Sequence, residues 1–170
     1  PLRLATAANP RGGTWNADGV ILFVPATSGL HRVSASGGTV VPVGDTLLAA
    51  NTTDRWPHFL PDGRHFLFLR REPGKPTAVL LGSLDDPATR PILDVSSRAE
   101  YADGHLFFVR DAALFAQPFD LTRLALSGQA VRVTDNVGGS GSDYRNAAFS
   151  VGAGTVVTWT GGYSPVARIA

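Results

Sequence analysis

The chain has 170 residues, enough for a domain with a real core. Hydrophobic residues make up 44% and charged residues 17%, which excludes disorder, because disordered chains are poor in apolar residues and rich in charge. The net charge of +1 offers no field for nucleic acid or an anionic membrane surface. The lack of cysteine excludes disulfides and thiolate metal sites, and no apolar run reaches the roughly 18 residues of a spanning helix.

Short runs rich in Val, Leu, Phe and Thr alternate with glycine and proline, and such runs read as strands. In chain order, strands are expected near 13–17, 20–25, 29–35 and 39–44, then near 55–60, 64–71, 77–84 and 89–95. A third set falls near 98–102, 105–110, 113–119 and 129–134, and a fourth near 145–150, 154–160 and 164–169. Leu114 to Leu126 comes closest to a helical pattern, but Pro118 and its β-prone flanks count against it. Gly138-Gly139-Ser140-Gly141-Ser142 is a flexible loop by composition.

The four sets are copies of one unit. Asp18-Gly19, Asp62-Gly63 and Asp103-Gly104 each follow an aromatic residue (Trp15, Phe59, Tyr101) and precede an apolar strand. Phe149 to Gly154 is a weaker fourth copy, ahead of Thr155-Val156-Val157-Thr158-Trp159. Asp-Gly between strands signals a tight hairpin of type I′, which needs positive φ at both central residues. Four strands in roughly 40 to 50 residues is the period of a propeller blade, whereas a sandwich does not predict a recurring aromatic-Asp-Gly unit. The expected fold is all-β: one partial β-propeller over 1–170, with four-stranded antiparallel blades near 13–44, 55–95, 98–134 and an incomplete 145–170. The chain begins Pro1-Leu2-Arg3-Leu4, without Met or a signal peptide, and reads as a segment of a longer protein. Its core should include Trp56, Phe59, Phe66, Phe68, Leu80, Phe107, Phe115, Phe149 and Val157. Phe66 and Phe68 are expected to be buried together only if their sheet is covered on both faces.

The stretch Arg55-Trp56-Pro57-His58-Phe59-Leu60-Pro61-Asp62-Gly63-Arg64-His65-Phe66-Leu67-Phe68 resembles the TolB-like, WD-repeat-like propeller repeat. More narrowly, it is similar to the propeller found downstream of bacterial serine/threonine protein kinase domains. Leu30 to Gly38, Leu81 to Asp85, Leu106 to Arg110, Gln117 to Asp120 and Arg145 to Ser150 share the likeness. The resemblance covers the chain from about Gly12 to Gly162. It implies a sensor or interaction module on the outer side of a bacterial membrane, tethered to a kinase elsewhere, with a protein or peptide as ligand. Propellers of this kind have six or more blades, so the remaining blades of the parent chain are expected partners. The alternatives are a stand-alone TolB-like periplasmic interaction propeller and the gating propeller of a prolyl-oligopeptidase-type serine peptidase.

No catalytic residue, cofactor or metal is expected. The kinase loops and the Gly-x-Ser-x-Gly elbow have no counterpart, and Gly74-Lys75-Pro76-Thr77 lacks the rest of a phosphate loop. His31, His58, His65 and His105 have no carboxylate spacing that would make a metal site. Asp18, Asp62 and Asp103 sit before glycine and should bond their own turns. One recurrence remains. Arg11, Arg55, Arg98 and Arg145 each precede the repeat aromatic by three or four residues, at the start of an innermost strand. They can form a positive rim for an anionic ligand or acidic peptide, or they can stitch blades together through carbonyls or through Asp54, Glu100 or Asp143.

Overall fold

The computed structural model describes residues 3–26, 29–45, 48–140 and 146–160. It divides into two compact units, Pro1–Asp94 and Val95–Ala170. Among the described residues there is no helix, and the Leu114–Leu126 stretch is mostly strand.

Unit 1 holds two antiparallel sheets with strands in simple chain order. The first is β1 (Gly13–Trp15), β2 (Val20–Phe23), β3 (Leu30–Ser34) and β4 (Val41–Val43). The second is β5 (Thr53–Phe59), β6 (His65–Arg71), β7 (Ala78–Ser83) and β8 (Arg90–Leu93). Each strand falls within two residues of its expected place, because turn residues bound every apolar run.

The two sheets share one core. Leu22, Val24, Leu30 and Val43 of the first repeat pack with Phe59, Phe66, Phe68, Ala78 and Leu80 of the second. Phe66 and Phe68 lie two residues apart and therefore share a face, with ring centroids 5.9 Å apart. Their joint burial needs cover on one face only, which corrects the expectation from sequence. The other face of the second sheet is buried as well, through Leu67, Leu69, Val79 and Leu81.

Unit 2 opens with β9 (Ala99–Ala102), β10 (His105–Arg110) and β11 (Ala113–Asp120). The fourth strand of this sheet is split. β12 (Ala125–Leu126) pairs with the end of β11, and β13 (Val131–Thr134) with its beginning. Next come β14 (Gly139–Ser140), β15 (Asn146–Ala147) and the hairpin β16 (Phe149–Gly152) to β17 (Thr155–Thr158). Gly139–Ser140, expected in a flexible loop, instead pairs with Asn146–Ala147 as a short strand. The expected strand 145–150 is interrupted at Ala148, whose N–H turns to the Gly138 carbonyl. The expected strand 164–169 lies outside the described residues. Val109, Leu114, Val137, Ala147 and Phe149 form the core of this unit, with Phe107 and Val151 against it.

Phe59, Phe66, Phe68, Leu80 and Phe149 are buried as expected, while Trp56, Phe107 and Phe115 are half-buried. Val157 is a correction: it is 63% exposed. It stands on β17, which pairs with β16 alone among the described residues, so no neighbouring strand shields it.

The glycine turns also divide. Asp103 and Gly104 both have positive φ, 47° and 80°, as a type I′ turn demands, and Ala153-Gly154 follows the same pattern. The first two turns do not. There only Gly19 and Gly63 have positive φ, and their N–H groups bond back to the carbonyls of Asn16 and Leu60. These are type I turns closed by a left-handed glycine. Pro61 favours that form in the second, since its ring fixes φ near the value required of the first central residue of a type I turn.

Candidate functional site at the starts of the innermost strands

In unit 1, β1 and β5 are the first strands of the two sheets, and they meet at a strained corner. Strand β5 carries a bulge: Arg55 pairs with Leu69 and His58 with Leu67, so one extra residue must fit between them. Pro57 is the reason, because it has no N–H to give to the ladder. The strain falls on Trp56, which takes φ 48°, left-handed backbone that a bulky side chain rarely adopts. Its N–H donates to the Arg11 carbonyl at 2.7 Å. Gly12 makes that approach possible. Its φ is +95°, and a Cβ there would lie 2.9 Å from both the Cα and the Cδ1 of Trp56.

Two of the four recurring arginines, Arg11 and Arg55, stand at this corner. The Arg55 guanidinium lies 5.8 Å from the centre of the Trp56 ring, within cation–π range. The Arg11 Nε is buried and has no hydrogen-bond partner among the described residues. Below the corner the seam between the sheets continues in neutral bonds. The Phe59 N–H donates to the Thr14 hydroxyl at 3.3 Å, and the Asn16 side-chain amide donates to the Gly63 carbonyl at 2.7 Å. Asp54, one of the carboxylates considered for stitching, is taken by Arg70 in a bidentate pair at 2.7 and 2.8 Å. Burial pushes the Asp54 carboxyl above its ordinary range, against the pull of Arg70 and with a further push from Asp45.

Arg98 in unit 2 is placed differently. It stands just before β9 and donates to the carbonyls of Ala147 and Phe149 and to the Glu100 carboxylate. Its guanidinium also covers the Phe149 ring at 4.7 Å. Glu100 is itself buried and accepts from the Val151 N–H at 3.0 Å. Every part of this pair is engaged between the third and fourth repeats. Arg145 and Asp143 lie outside the described residues.

The turn aspartates divide three ways. Asp62 bonds its own turn, accepting from the N–H groups of Arg64 and His65. Burial alone would raise its pKa, but these bonds and the His65 ring hold it below the usual value. In the first turn Asn16, not Asp18, accepts the local bond, from Val20 N–H at 2.8 Å. Asp103 accepts from Gly154 N–H, 2.7 Å away in the next hairpin rather than in its own turn. His31, His65 and His105 each bond within their own segment through Nδ1. Among the described residues no three His, Asp or Glu side chains gather in a way that could hold a metal ion.

The sequence reading missed the left-handed Trp56. The Trp56-Pro57 pair was the available signal, since a proline inside a strand must be accommodated off the ladder.

These sheets are β-propeller blades, and the fold class is a partial β-propeller. A chain in the crystal structure of the nidogen/laminin complex has the same kind of fold, with a TM-score of 0.55 over 76% of this chain at 12% identity. This chain spans about half of that neighbour, 49% of its length. No family model matches the sequence, and no curated protein matches it.

Proposed function

We propose that this chain is a non-catalytic interaction module that takes an acidic peptide segment of a protein partner at the Arg11–Trp56 corner. The observation that carries the reading is the buried Arg11 Nε, which has no partner among the described residues, beside a tryptophan held in strained backbone. A buried guanidinium donor is costly to leave unbonded, and carboxylates are its natural complement. Strain of this kind concentrates at binding sites. Arg55 adds a second positive charge and Trp56 a flat apolar surface at the same place.

The likeness of residues 55–68 to kinase-linked propellers supports a finer proposal. In it the chain is the extracytoplasmic sensor of a bacterial receptor-like serine/threonine kinase. Reading the coding sequence on both sides checks this. A kinase domain and a membrane span upstream support it; a hydrolase domain downstream, or a secretion signal alone, overturns it.

The peptide site is tested by titrating the chain with an oligoglutamate and a matched oligoglutamine, followed by tryptophan fluorescence. The acidic peptide is expected to bind more tightly, and added salt to weaken it. Arg11→Ala should reduce its affinity about 5- to 10-fold. Equal binding of the two peptides, or an unchanged affinity in Arg11→Ala, would sink the proposal.

A further inference from the structure

The last strands of the three larger sheets are guarded against pairing with another chain, and β17 is not. β4 carries Pro42, and β8 carries Arg90 and Pro91. β13 carries Arg132 and meets β11 across a bulge. Proline, charge and bulges keep a sheet edge from recruiting a strand. β17 reads Thr155-Val156-Val157-Thr158, without charge, proline or glycine.

The hydrogen bonding of this edge follows from the hairpin. The Trp159 N–H donates to the Ala148 carbonyl, on the β16 side. Alternation along the strand then turns the N–H and C=O groups of Thr155 and Val157 toward β16, and those of Val156 and Thr158 outward. Among the described residues no strand pairs with that outer side.

The floor beneath the next strand place is apolar. β16 packs on β9, the first strand of the third sheet, so a sheet continued past β17 lies over β11 and β13. Val131 of β13 stands opposite Ala116, two residues from Leu114. It is therefore on the face that brings Leu114 and Phe149 into the core of unit 2. Val131 is 64% exposed, with Val133 beside it at 45%.

We infer that β17 is the docking edge for an extended strand of a partner protein, a strand whose alternate residues are apolar and uncharged. Its backbone pairs with Val156 and Thr158, and its apolar side chains come down on Val131. An extended backbone meets both features at once. It supplies donors and acceptors at the spacing of the edge, and every second side chain reaches the floor. β17 and Val131 present no charge, so an acidic segment gains nothing here. The inference is independent of the acidic-peptide site in unit 1.

The test uses the full chain and a fluorescently labelled synthetic peptide with the sequence of residues 77–84. In the second sheet β7 takes the equivalent place, beside the strand that follows the glycine turn. Fluorescence anisotropy should saturate with a Kd of about 100 μM. Two further peptides, N-methylated at alternate amides, separate strand pairing from unspecific adhesion. One set of amides faces β17 and the other faces away, so one peptide should bind and the other should lose about tenfold or more. Val156→Pro removes an outward N–H and spares the ladder to β16. It should weaken binding about tenfold with little change in melting temperature. Val131→Asp should weaken it about fivefold. Should Val156→Pro fail to fold, the methylated pair and Val131→Asp decide. The inference is overturned by equal binding of the two methylated peptides, by full affinity in both variants, or by an absence of saturation. An edge held by the chain's own residues would give that last result, with slow hydrogen exchange at the Val156 and Thr158 amides of the free protein.

Discussion

The seam between the first and second sheets and the seam between the third and fourth repeats start from the same repeat position and are built by different means. In unit 2 the seam is ionic. Arg98 and Glu100 are both withdrawn from solvent and fully used, on each other and on backbone groups of the next repeat. In unit 1 the seam is made by backbone, the Asn16 amide and the Thr14 hydroxyl, and the side chain of Arg11 adds no stitch among the described residues. The difference teaches that a recurring residue in a repeat protein need not keep one role. Its work depends on what the neighbouring strand offers. Beside Arg98 the next strand leaves two carbonyls bare. Beside Arg11 the bulged strand turns the Trp56 N–H inward instead, and the arginine's own carbonyl becomes the stitch.

The largest expected effect would break this contrast if it failed. Arg98→Ala leaves Glu100 buried without its counter-charge and should cost about 3–5 kcal/mol in urea denaturation. Combining Arg98→Met with Glu100→Gln should recover much of that loss, because no buried charge is then stranded. Arg11→Ala should cost less than about 1 kcal/mol, as its buried Nε bonds to none of the described residues. Equal losses at Arg98 and Arg11 would show that the two seams are alike after all.

The next effect sharpens the description of the first seam. Gly12→Ala puts a methyl group onto Trp56 and a side chain on left-handed backbone, and should destabilise by about 1–3 kcal/mol. The same change at Gly152, where a Cβ meets nothing within 4 Å, should be close to neutral. A neutral Gly12→Ala would mean that the close approach to Trp56 does not hold the seam.

The smallest effect concerns the turn that receives Asn16. The Asp62 carboxyl titrates below its ordinary value in the folded chain, so its bonds stabilise above the unfolded value near 3.8 and are lost as the pH falls through the folded one. Asp62→Asn should therefore cost less than about 1 kcal/mol near neutrality, since the side chain is 37% exposed and screened. The gap from wild type should close on acidification below 3.8. A gap that stays constant with pH would assign the loss to something other than the ionised carboxylate.

The strand positions of the first three repeats were legible in the sequence because each depends on local chemistry. A glycine or proline ends the run, and β-branched and aromatic residues fill it. Val157 was misjudged for the opposite reason. Its sequence is that of a core strand, but burial requires another sheet on top, and apolar character in a chain does not create that neighbour. Pro61 was a local sign for a type I turn, and the Asp-Gly pair obscured it.

By itself the sequence determined the all-β class, the four-fold repeat and the places where chain direction reverses, because these follow from backbone preferences spanning a few residues. Only the tertiary structure decided which polar groups would be used up. Arg98 and Glu100 are spent on a neighbour some fifty residues away, while among the described residues the Arg11 Nε and the Thr52 hydroxyl are buried without a hydrogen-bond partner. Hydrogen bonding is short-ranged and directional, so a side chain's partner is settled by which distant strand is folded against it.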